Sequence, residues 1–99
     1  MNLTYAVDRL YQTGWMPTAS SELDRLPDGR SFPTVSAVKR EFSRAGVELN
    51  IKHTPAFNCY RATWNSGTVI GACEREAAVY ALAHLREAQL IPDQTLLAS

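Results

Sequence analysis

The chain has 99 residues, 45% of them hydrophobic, with ten basic and ten acidic side chains and a formal net charge of zero. That length suits one domain burying roughly two-thirds of its unfolded surface. The neutral balance excludes a strong whole-molecule field for nucleic acid or anionic lipid and favours self-association.

The N-terminus, MNLTYAVDRLYQ, lacks the basic-then-apolar pattern of a signal peptide, and no stretch approaches the ~20 apolar residues of a membrane span. A soluble cytoplasmic protein is expected, with no membrane partner. Two cysteines are too few for a disulfide framework and would remain thiols in a reducing compartment.

Leu3, Ala6, Val7 and Leu10 recur at helical spacing, so residues 3–13 read as a short helix stopped by Gly14. Trp15 and Met16 follow and are expected to pack back on the domain, since an exposed pair would leave an apolar patch. Residues 17–33, rich in Pro and Ser, read as a connection holding at most one helical turn over 22–26, with Ser21 as its cap. Pro27-Asp28-Gly29 reads as a turn: Pro presets φ, Asp bonds its own backbone and Gly accepts positive φ.

Residues 34–45 form the second helix, with Val35, Val38, Phe42 and Ala45 as its apolar stripe and Gly46 as a left-handed cap. Val47, Leu49 and Ile51 then alternate with Glu48, Asn50 and Lys52, the period of a half-buried strand closed by Thr54-Pro55. FNCYRATW-NSG-TVIGAC reads as a β-hairpin. A three-residue turn with Gly67 at the bulge position would pair Trp64 with Thr68, Ala62 with Ile70, Tyr60 with Ala72 and Cys59 with Cys73. The core face would then hold Tyr60, Ala62, Trp64, Ile70 and Ala72, and the outer face Cys59, Arg61, Thr63, Val69 and Cys73. A two-residue turn would slip every pair by one and separate the cysteines. The final helix buries Ala77, Ala78, Ala81, Leu82 and Leu85, carries Glu74 and Glu76 in its first turn, and ends at Pro92 before a fraying tail.

These elements predict an α+β domain: an α-β-β-β-α core over residues 34–89, its three-stranded antiparallel sheet packed on one face by two helices. An extra N-terminal helix and Pro-rich connection occupy 1–33, and a tail occupies 90–99. With VSAVKREFSRAG as first helix, FNCYRATW-NSG-TVIGA as hairpin and EAAVYALAHL as Ala-rich last helix, this order resembles the double-stranded RNA-binding domain. The resemblance implies contacts to the minor grooves from the first helix, and phosphate contacts from lysines at the start of the last. Here those last positions read Cys73-Glu74-Arg75-Glu76, whose glutamates repel phosphate. The hairpin and EAAVYAL helix also resemble the plant ethylene-response DNA-binding domain, without its arginine- and tryptophan-rich strands.

No metal site is expected, because His53, Cys59, Cys73 and His84 lack the paired short spacing of zinc knuckles. No catalytic residue or cofactor is expected either. No element activates a cysteine thiol, the carboxylates Glu41, Glu48, Glu74, Glu76 and Glu87 read as scattered surface groups, and five glycines build no phosphate loop. Tyr60 and Trp64 read as core rather than a base-stacking platform.

A non-enzymatic protein-interaction module is therefore the leading expectation, with Trp15, Met16, Cys59, Thr63, Val69 and Cys73 facing an unknown protein partner or a second copy. The alternative is a divergent nucleic-acid binder holding RNA or DNA weakly through Lys39, Arg40, Arg44, Lys52 and Arg61. Its mark would be one basic surface unbroken by Glu41 and Glu48.

Overall fold

The computed structural model of the chain describes residues 2–18 and 22–89 in full and the backbone of 90–98. Helix α1 (Leu3–Gln12) starts where the Asn2 side chain accepts the Tyr5 N–H, and it turns off at Gly14, whose φ of 88° suits a residue without Cβ. Ala6, Val7 and Leu10 are its buried face.

The expected helical turn at 22–26 is instead a two-stranded hairpin, β1 (Leu23–Arg25) against β2 (Ser31–Pro33); its cap Ser21 lies outside the described residues. The reason lies in the turn that was legible. Leu26 and Arg30 are bonded backbone to backbone, Gly29 adopts a φ of 96°, and Asp28 accepts the Arg30 N–H, which folds the two flanks onto each other. That bond, with the Arg30 guanidinium beside it, holds the Asp28 carboxyl below its usual range. Phe32, wholly buried, anchors the hairpin in the core.

Helix α2 (Val35–Arg44) is capped by Thr34, whose hydroxyl accepts the Ala37 N–H, and closes at Gly46 with φ 76°. Its buried residues are Ala37, Val38 and Phe42; Ala45, expected in the stripe, is exposed.

Strands β3 (Asn50–Thr54), β4 (Cys59–Trp64) and β5 (Gly67–Gly71) form one antiparallel sheet in the order β3-β4-β5, and a 3₁₀ turn (Pro55–Phe57) follows β3. The β4–β5 register is the slipped one. Trp64 pairs with Gly67, Thr63 with Thr68, Ala62 with Val69 and Arg61 with Ile70 across the two-residue turn Asn65-Ser66. Gly67 does not supply positive φ; it supplies space, since a Cβ there would lie 2.6 Å from Trp64 Cζ2. Val69 is consequently buried and leaves the outer face, Ile70 is 50% exposed and leaves the core, and Ala72 is exposed. Cys59 and Cys73 do not face each other in the ladder: Cys59 pairs with Thr54, and β5 ends before Cys73.

Helix α3 (Glu74–Ala98) continues past Pro92, which was expected to end it. A proline inside a helix removes one N–H, here the donor to the Ala88 carbonyl, and disfavours a helix by about 3 kcal/mol without forbidding it. Ala77, Ala78, Val79, Ala81, Leu82 and Ala83 are all buried, more than one face can hold, because α3 packs against α1, α2 and the sheet together. Gly71 permits the close approach: a Cβ there would stand 2.6 Å from the Ala77 backbone nitrogen.

The buried side chains form one contiguous cluster drawing on both sheets and all three helices. An α+β fold with the core order α-β-β-β-α results, extended at its N-terminal side by a helix and a hairpin. Among the described residues no helix is long and apolar enough to cross a membrane.

Candidate functional site

Strand alternation sorts the sheet's side chains into two faces. Ile51, Ala62, Trp64 and Val69 point into the core, where Trp64 meets Phe42 edge to face at 5.6 Å. Trp64 is thus a core residue and offers no stacking platform. Tyr60 is half-buried with its ring 4.7 Å from that of His53, on the same face.

The opposite face carries rows set by the two ladders: Asn50, Thr63 and Thr68; then Lys52, Arg61 and Ile70; then Thr54 and Cys59. Lys52 and Arg61 are therefore direct cross-strand neighbours. Both are exposed, and neither forms an ion pair with an acidic group among the described residues. Like charges placed directly opposite on a sheet are destabilising by roughly 0.2–1 kcal/mol. Asn50 and Thr63 complete a shallow recess around the two cations, and Ile70 stands next to Arg61 in the same row. The row thus combines two adjacent positive charges with an exposed branched apolar side chain, flanked by amide and hydroxyl groups.

The basic residues of α2 are arranged differently. Arg40 pairs with Glu22 at 2.7 Å and Arg44 with Glu41 at 3.0 Å, both at the surface. Lys39 lies beside Ser43, Val47 and Glu48, whereas Arg40 and Arg44 line a separate cleft with Glu41 and Trp15. The three cations are divided between two depressions, and each depression contains a glutamate.

At the start of α3 two side chains accept backbone N–H groups. Cys73 Sγ accepts the Glu76 N–H at 3.4 Å, while Glu76 Oε2 accepts the Ala72 N–H at 3.2 Å. Glu76 is only 3% exposed and serves structure, which corrects its reading as a surface group. Arg75 is turned to the hairpin, with its guanidinium 3.8 Å from Asp24 and 6.0 Å over the Phe32 ring.

Trp15 is half-buried with its ring edge-on to Tyr11, but Met16 is 74% exposed, so only the first of the pair packs back as expected. Cys59 and Cys73 are free, half-buried thiols. His84 sits between the Tyr80 and Trp64 rings, and no cluster of three metal-ligating side chains occurs among the described residues.

Two contacts had no signature in the sequence because they join distant elements. Arg9 grips both carboxylate oxygens of Glu87 at 2.6 Å, linking α1 to α3, and this partner together with Tyr5 raises the guanidinium pKa further. Arg86 donates from Nε to Thr13 Oγ1 at 2.8 Å. Ile70 could have been assigned outward by taking the shorter turn. Compared with protein-family models, curated proteins and solved structures, the chain matches none.

Proposed function

We propose that this chain is a non-enzymatic, cytoplasmic binding module, on a scaffold resembling the double-stranded RNA-binding domain, that docks an acidic protein segment on the open face of its sheet. The observation that carries this reading is the Lys52–Arg61 cross-strand pair beside exposed Ile70. Two adjacent cations that have no acidic partner among the described residues repel each other in the free protein, and a carboxylate laid between them turns that repulsion into attraction. Ile70 gives the same partner an apolar contact, which phosphate backbone cannot use.

Charge placement favours protein over nucleic acid. A duplex needs several phosphate contacts for useful affinity at physiological salt. The arginines of α2 are engaged by Glu22 and Glu41, Arg75 is turned to Asp24, and Glu74 is exposed where the resembled family places lysine.

The test is an amide-shift titration with a synthetic Glu-rich peptide bearing one central Leu, run beside duplex RNA at low and moderate salt. The peptide is expected to shift Asn50, Lys52, Arg61, Thr63 and Ile70, and the double variant Lys52→Glu/Arg61→Glu to lose those shifts. Absence of peptide shifts at Lys52 and Arg61 refutes the reading. Salt-sensitive RNA shifts at Lys39, Arg40 and Arg44 would make the protein a nucleic-acid binder instead.

A further inference from the structure

The cleft between the end of α1 and the outer side of α2 has a charge imbalance of its own, separate from the cation pair on the sheet face. Arg86, on α3, reaches it half-buried and held in place. Its Nε donates to the Thr13 hydroxyl, and that hydroxyl donates at 2.6 Å to the Leu10 carbonyl, in a threonine only 7% exposed. One edge of the guanidinium is therefore fixed by the fold. Its terminal nitrogens have no carboxylate partner among the described residues.

Arg40 and Arg44 stand on the cleft's other wall, balanced by Glu22 and Glu41. These five charged groups sum to one net positive charge, carried by Arg86. The rest of the lining is mixed: Trp15, exposed Met16 and Ala37 give an apolar strip beside the Thr18 hydroxyl, in a cleft whose surface is otherwise mostly polar. The space is about 420 Å³, at the small end of the ligand-pocket range.

The structure assigns this cleft as a binding site for a small monoanion: a carboxylate received by the terminal nitrogens of Arg86, joined to a flat apolar body that rests against Trp15 and Met16. A carboxylate fits the single unmatched charge, and the planar fork of arginine binds its two oxygens with little further ordering. Met16, unbranched and exposed, can adapt to the shape of the apolar body. The site is independent of the sheet face, whose residues are different.

Benzoate is the probe, with benzamide as its uncharged isostere, and the indole and amide signals of Trp15, Met16 and Ala37 report binding. Benzoate is expected to move the Trp15 indole N–H saturably, with a dissociation constant on the order of 1 mM, and to leave the core Trp64 indole in place. Benzamide should bind at least tenfold more weakly, as should benzoate to Arg86→Gln. Since Arg86→Gln also removes the bond to Thr13, Met16→Glu provides a second arm at an exposed position and should weaken benzoate tenfold by repulsion. Equal affinity for benzoate and benzamide, no effect of Met16→Glu, or no saturation at about ten times the expected constant each overturns the site.

Discussion

At Gly67 and Gly71 the absence of one carbon decides what may lie against the backbone. Gly67 admits the Trp64 ring, and Gly71 admits the first turn of α3, where an added Cβ would meet the Ala77 backbone nitrogen at 2.6 Å. Backbone cannot step aside as a side chain can, so Gly71→Ala is expected to cost about 1–3 kcal/mol in denaturant unfolding, the range of overpacked cores. Lys52 presents the opposite situation. Its charge repels that of Arg61, so Lys52→Glu should raise the unfolding free energy by a few tenths of a kcal/mol while weakening the acidic peptide. Both effects together would mark a residue kept for binding at the expense of stability. Loss of stability in Lys52→Glu would count against the repulsion argument.

At the level of elements, helices were the most legible. Gly14 and Gly46 take the left-handed conformation expected to end α1 and α2, whereas the side-chain caps Asn2 and Thr34 were not read from the sequence. The β-hairpin was legible in kind but not in register. Val-Ile at 69–70 satisfies either face, and the choice belongs to the fit between Gly67 and Trp64, a contact that only the paired strands create. A pair of variants reads that register directly. Val69→Asp buries a charge and should abolish or nearly abolish folding, whereas Ile70→Asp, at a half-exposed position, should cost no more than about 1 kcal/mol. The reverse ranking in thermal melts would restore the three-residue turn. The β1–β2 hairpin escaped notice because its strands are three residues each, too short for a visible period.

Across the whole molecule, α3 is the element that every other layer needs. Its buried residues surround more than one face, so the N-terminal helix closes the core from outside the α-β-β-β-α order. Leu10, fully buried on α1, should cost about 2–5 kcal/mol when changed to Ala, and calorimetry should show one transition shifting as a whole. A separate early transition would show α1 to be an independent appendage. A domain of this size has only about 5–15 kcal/mol in total, so the loss would be a large share of its stability. By itself the sequence determined the courses of α1 and α2 with their glycine ends, the start and buried stripe of α3, and the α+β class, because each follows from neighbours a few residues apart. Tertiary structure alone decided the hairpin register, the Arg9–Glu87 clamp and the separation, among the described residues, of Lys52, Arg61 and Arg86 from acidic partners. Those depend on which distant side chains the packed core brings together, and no local pattern specifies that.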